Sequence, residues 1–250
     1  MSTAERKAWT RDELLLAINL YCKTPFGRIH IRNPDIIELA EILGRTPGSI
    51  SRKLGNFVSI DPTIDRKGFT NVSKLDRQVW AEFYENWEAM LNEGESKMAE
   101  LKGKPEMLDE IPEMNIPEMN IPEGATRETV VQARVNQALF RKIILSCYDG
   151  KCCITGIDNA ALLIASHIVP WARDTENRLN PTNGVCLNAL HDKAFDKGLI
   201  TINDDYRVMV SKKVKHELLR KFDQAPITLP GRFYPDQQFL KFHRSEIYQG

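Results

Sequence analysis

Two of the five histidines in this 250-residue chain stand where chemistry is easily organised. His167 lies near the end of Leu162-Leu-Ile-Ala-Ser-His-Ile-Val169, which reads as a short strand. His191 opens Ala189-Leu-His-Asp-Lys-Ala-Phe-Asp196, which reads as a helix ending at Gly198. An imidazole titrates near neutral pH, so it can accept a proton from water or ligate a metal ion. Asp192 and Asp196 add two carboxylates to that helix, and Asn183 and Asn188 flank the strand-like Gly184-Val-Cys-Leu187. Taken singly, each has a structural reading too. A lone histidine on a strand is commonly a hydrogen-bonded structural residue, and the two aspartates are evenly divided between metal work and helix-end structure. His30, His216 and His243 keep the structural reading, and Trp171 and Phe195 read as core.

The elements that must position these residues follow from periodicity. Thr129–Ser146 carries Val131, Val135, Leu139, Phe140, Ile143 and Ile144 on or near one helical face, and Cys152–Ile157 adds a further β-like piece before the strand of His167. Upstream, Thr10 with Glu13 caps a helix through Leu14, Leu15, Ile18 and Tyr21. Asn33-Pro34 opens a second helix to Leu43, Thr46-Pro47 a third through Leu54, and Leu75–Leu91 a closing aromatic helix. Two short helices around Gly44 outline a helix-turn-helix, whose second helix would offer Ser49, Arg52 and Lys53 to a DNA groove, with a purely structural bundle as the other reading. Between the halves, Ile111-Pro-Glu-Met-Asn recurs at Ile116 and begins again at Ile121, and proline every fifth residue forbids a continuous helix. The expected organisation is thus an α+β chain: an all-α helix-turn-helix-like domain at 1–93, an acidic Pro-rich linker at 94–126, and a mixed domain at 127–250.

Composition narrows the classes further. Lys+Arg and Asp+Glu are both 34, yet the balance is uneven: 13 against 13 in residues 1–93, 3 against 8 in 94–126, and 18 against 13 in 127–250. The basic C-terminal part suits phosphate contacts, with modest weight. Five cysteines, no export signal and no apolar span lead us to expect reduced thiols, no membrane partner and a cytoplasmic location.

Gln137-x-x-Phe140-Arg141, Cys153-Ile-Thr-Gly156, Ala165-Ser-His-Ile-Val-Pro-Trp171, Arg178-Leu-Asn-Pro-Thr-Asn-Gly184 and Leu190-His-Asp-Lys-Ala-Phe-Asp-Lys-Gly198 together resemble the HNH endonucleases, in their restriction-endonuclease-like branch. The resemblance covers about residues 127–245 and implies a ββα-metal fold. It implies His167 as general base, Asn183 as the central asparagine, with Asn188 its rival, and His191 as a metal ligand. Phosphodiester hydrolysis needs an activated water and charge stabilisation at the phosphate, so Mg²⁺ or Mn²⁺ is expected, with the His191 imidazole favouring Mn²⁺, Co²⁺ or Ni²⁺ as substitutes. Ser166 stands where many members place a further ligand, so Asp192 and Asp196 are the candidates to complete the shell. Gly156 stands where a paired cysteine would, so no structural zinc is expected. Arg141, Lys193 and Lys197 are candidate phosphate contacts, double-stranded DNA the substrate, and a homodimer the means of cutting both strands. A non-catalytic DNA-binding regulator and an RNA- or structure-specific nuclease are the rival readings.

Overall fold

The computed structural model describes residues 7–64, 68–103 and 127–250, and divides the chain into two compact units, Met1–Glu106 and Met107–Gly250. The proline repeat at 111–124 lies outside the described residues.

The first unit is all helical: α1 (Arg11–Lys23), α2 (Pro34–Ile42), α3 (Pro47–Val58), α4 (Lys74–Glu85) and α5 (Trp87–Leu101). Thr10 and Glu13 form a capping box on α1, Asn33 with Pro34 opens α2, and Thr46 with Pro47 opens α3, so local chemistry starts each helix where expected. α1 is buried on all sides, from Leu14 to Cys22, because the other helices surround it. Tyr21, Phe57 and Trp80 meet within it at ring separations of 5.6–6.0 Å.

Two boundaries differ from expectation. The closing helix is two helices, broken at Asn86, whose backbone (φ −137°, ψ 58°) leaves the helical region. The start of the linker at 94 falls inside α5, which continues to Leu101 because it packs on α1. Gly94 lets the two helices approach: a Cβ there would stand 2.1 Å from Asn19 Nδ2. Ion pairs of Arg11 with Glu93, Lys23 with Glu95 and Lys97 with Asp12 hold the same face.

Lys53 is also corrected. Its ammonium lies 2.8 and 2.9 Å from the two carboxylate oxygens of Asp76 and both side chains are buried, so it ties α3 to α4 and is not offered to a groove. Ser49 is half-buried near the start of α3, and Arg52 is exposed.

Glu13 illustrates how this unit is held. Lys7 and Arg45 both pair with its carboxylate, at 2.8 and 2.6 Å. Although burial alone would raise its pKa, the hydrogen bonds from Arg45 and Lys7 prevail and hold it down at about 2. A depressed folded-state pKa gives stability that is present above the unfolded value and lost as pH falls through the folded one. Glu13→Gln, which keeps a capping side chain, is therefore expected to cost about 1–2 kcal/mol at pH 7. In thermal melts the gap to wild type should narrow as pH is lowered toward 3; a pH-independent gap would count against the ion pairs.

The second unit opens with α6 (Arg127–Cys147), which lies against the antiparallel hairpin of β1 (Leu163–His167) and β2 (Gly184–Asn188). α7 (Ala189–Asp196) follows β2 directly, completing strand, strand, helix. A second hairpin, β3 (Ile200–Ile202) with β4 (Val208–Val210), then leads to α8 (Glu217–Arg220) and α9 (Gln237–Glu246). The chain is α+β. The Cys152–Ile157 piece is a turn, closed by the Cys152 N–H on the Ile157 carbonyl and the Gly156 N–H on the Cys152 carbonyl, while Cys153 reaches outward, donating its N–H to the Cys186 carbonyl and accepting from the Thr228 N–H. β2 is buried throughout, and Gly184 at its start pairs with His167. A Cβ at Gly184 would stand 2.6 Å from Phe140 Cζ and 2.5 Å from Ile144 Cδ1, so glycine allows α6 to close on the hairpin beside His167. No described helix is long and apolar enough to cross a membrane.

Candidate active site

β1 delivers His167 into a cleft of about 530 Å³ whose walls include Ser166, Trp171, Asp192, Asp196 and Lys197. The His167 ring is stacked on Phe140 of α6 (centroids 3.8 Å, 12°) and meets Trp171 edge-on at 5.4 Å. Its Nε2 lies 3.0 Å from the Arg178 carbonyl oxygen. A carbonyl only accepts, so Nε2 carries the proton and Nδ1 is left as the acceptor. Burial pushes the pKa of this imidazole down to about 4, so the ring is neutral in the physiological range. Arg178 in turn donates from Nε to the Trp171 carbonyl and holds its guanidinium 5.0 Å from the Trp171 ring.

Asn183 is fully buried and acts on the loop that leaves His167. Its Oδ1 accepts from the Val169 N–H at 2.8 Å, and its Nδ2 donates to the carbonyls of Val169 and Asn177. The backbone carbonyl of Asn183 accepts from the Ile168 N–H. The chain on both sides of the cleft is thus tied through one side chain. Asn188, the rival for that position, caps α7 by accepting from the N–H groups of Leu190 and His191 and donates to Thr155.

Asp192 and Asp196 stand one turn apart on α7 and share the face that meets Ser166. Burial, reinforced by the neighbouring Asp196 charge, pushes the Asp192 carboxyl up to about 6, while the Ser166 hydroxyl beside it opposes the rise. Asp196 is raised by burial as well. The Ser166 hydroxyl is buried beside the Asp192 carboxylate, so its oxygen and the carboxylate face the same point of the cleft. Two neighbouring carboxylates and a hydroxyl are hard oxygen donors, and this set fits a divalent cation such as Mg²⁺. Among the described residues no group of three His, Cys, Asp or Glu side chains could hold a metal by itself, so water or phosphate would supply the remaining positions.

His191 is not among the residues that line this cleft. It is buried, with Nδ1 3.0 Å from Asn188 Oδ1 and its ring edge-on to Phe222 at 5.0 Å, and its buried Nε2 has no hydrogen-bond partner, so that nitrogen stays open as a metal donor. Each residue turns the helix by about 100°. The face that brings Asp192 and Asp196 together therefore carries His191 away from them.

Arg141 has a different role from the expected phosphate contact, since its guanidinium donates to the carbonyls of Ala160 and Leu163 and fastens the start of β1. Lys193 is exposed on α7, and Lys197, exposed just past its end, reaches the cleft wall. Trp171, expected in the core, is half-buried and forms a wall, whereas Phe195 is buried and stacks on His243 at 3.7 Å. His243 hydrogen-bonds the Thr201 hydroxyl and the Phe195 carbonyl, pinning α9 behind the cleft. Arg178 has no role legible from sequence. Its place beside His167 depends on a loop closing across 11 positions, and no local pattern marks that closure.

Residues 152–203 match the family described as HNH endonuclease, a segment that contains β1, β2, α7 and every carboxylate and imidazole of the cleft named above except His243. Among solved structures, one described as modification dependent TagI restriction endonuclease aligns at 23% identity with a TM-score of 0.32, over 44% of this chain and 38% of that chain. The aligned part is thus well under half of that protein's length. No curated protein matches.

Proposed function

We propose that this chain, with its HNH endonuclease segment, is a metal-dependent DNA endonuclease in which His167 is the general base. The observation that carries the reading is the juxtaposition in one cleft of a neutral imidazole, whose Nδ1 is left as acceptor, with a carboxylate pair and the Ser166 hydroxyl. Asp192, Asp196 and Ser166 would hold a divalent ion, and when bound it supplies charge neutralisation at the phosphate and acidifies a water molecule. His167 accepts the proton of the attacking water at Nδ1, and the Arg178 carbonyl keeps the ring oriented through Nε2. Trp171 and Phe140 fix that ring from its edge and its face. Lys197 faces the substrate side and attracts the phosphate backbone. Asn183 touches no substrate; it holds the loop that sets the position of His167.

The biological setting that fits is restriction of foreign DNA, by a homodimer if both strands are cut at one place. The test is a panel of duplex DNA, single-stranded DNA and RNA incubated with Mg²⁺ or Mn²⁺, with duplex DNA also supplied methylated and hydroxymethylated. Nicking or linearisation of duplex DNA that EDTA abolishes is the expected result. Cleavage of RNA alone, or of nothing, would overturn the reading, and a monomeric mass both free and on DNA would remove the dimer.

A further inference from the structure

The helical unit contains a second recess that the nuclease chemistry does not use. It has a volume of about 800 Å³, within the range of roughly 300–1,000 Å³ usual for small-ligand clefts. Among the described residues its walls carry four cationic side chains, those of Lys7, Arg45, Arg52 and Lys53, and no acidic one. Glu13 and Asp76 pair with Lys7, Arg45 and Lys53 from outside the lining, so they offset part of this charge. Arg52 is exposed and forms no ion pair among the described residues. In a unit whose overall charge is balanced, the recess is therefore locally positive.

Two aromatic rings accompany the charge. Phe69 is 57% exposed, which is unusual for so large an apolar side chain, and its ring lies on Gly55 of α3, where a Cβ would stand 2.5 Å from it. Trp9, half-buried, has the Arg45 guanidinium 4.0 Å over its ring. Asn56 donates to the Asn71 carbonyl, and both residues line the same recess, offering amide groups of the kind that pair with the polar edge of a base. Positive charge, an exposed flat ring and neutral amide groups in a recess of this size match one ligand class: a nucleotide.

We propose that this recess receives a single nucleotide turned out of the DNA duplex, its base on Phe69 beside Trp9 and its phosphate at Arg52. A base within the stack cannot enter a recess, so the nucleotide must leave the helix. This deepens the DNA reading of the nuclease unit and rests on it for the identity of the polymer.

The experiment uses the full chain carrying His167→Ala, in EDTA, so that binding is measured without cleavage. The probes are two fluorescein-labelled duplexes, one fully paired and one with a single central mismatch, whose bases leave the stack at lower cost. The mismatched duplex is expected to bind several-fold more tightly. Phe69→Ala should weaken that binding about tenfold and erase the preference, Phe69→Trp should restore it, and Arg52→Ala should weaken both duplexes. Thermal melts check that the variants fold; Phe69 is largely exposed, so little change is expected. Equal binding of the two duplexes, or an effect of Arg52→Ala without one of Phe69→Ala, would overturn the pocket. Plasmid cleavage by chains that retain His167 is measured separately. Cleavage with normal binding by the Phe69 and Arg52 variants sinks this inference alone, and lost binding by those variants in a chain that never cuts sinks the nuclease reading alone.

Discussion

His167→Ala is expected to lower the rate of duplex cleavage by about 10²–10⁴-fold, the range for removing a positioned general base. Duplex affinity should stay nearly unchanged, because the residue accepts a proton and does not grip the phosphate. The ring is oriented by three contacts, namely the Phe140 stack, the Trp171 edge and the Arg178 carbonyl, which fixes the tautomer. Removing a half-buried ring also loosens packing, so a melt must accompany the kinetics. Partial rescue by added imidazole would separate a lost base from a lost fold. A variant that folds, binds and still cuts at the wild-type rate would assign the proton to another group.

Asp192→Asn is the second large effect. Cleavage should fall about 10²–10³-fold, as when one electrostatic partner of a developing charge is removed, and more Mg²⁺ should be needed to reach its maximum. Stability should move the other way. The Asp192 carboxyl is raised to about 6 in the folded chain, first by burial and then by Asp196. A raised folded-state pKa means that stability is present below the unfolded value and lost as pH climbs through about 6. With metal chelated at pH 8, Asn therefore removes a buried charge and should stabilise the unit by about 1–2 kcal/mol. Added Mg²⁺ should raise the melting temperature of the wild type and leave that of the variant nearly unchanged. His191→Gln is the contrast: it should destabilise the fold through lost packing against Phe222 while preserving the dependence on Mg²⁺. If His191→Gln abolishes that dependence and Asp192→Asn does not, the ligand assignment is reversed.

The difference between His191 and Asp192 shows where the information in the chain stops. The pattern from Ala189 to Asp196 is legible as a helix, and α7 has those bounds. Spacing also says that residues four apart share a face, yet it does not say which face is turned to the cleft. That rotation is set by Phe222, from beyond the second hairpin, and by Ser166, from the hairpin before. Lys53 behaves in the same way: as a helix residue it reads as a groove contact, and only the approach of Asp76 from α4 consumes its charge. Trp171 reads as core because tryptophan is usually covered, and it is the return of the chain through Arg178 that leaves it as a wall.

Where one residue answers to its immediate neighbours, the sequence is sufficient. Capping groups at Thr10, Asn33 and Thr46 act within three positions, so the helix starts follow directly. Asn183 is likewise legible as a loop-holding residue because it stands at the strand that begins with Gly184. The extent of α5, the break at Asn86 and the donor set of the cleft are decided by tertiary packing. Each depends on side chains far apart in the chain, and a buried contact is selected by volume and charge once the elements meet. The pair of histidines illustrates both cases. The strand end places His167 in the cleft, whereas the rotation of α7, fixed only by what packs on either side of it, turns Asp192 and Asp196 into the cleft lining and leaves His191 out of it.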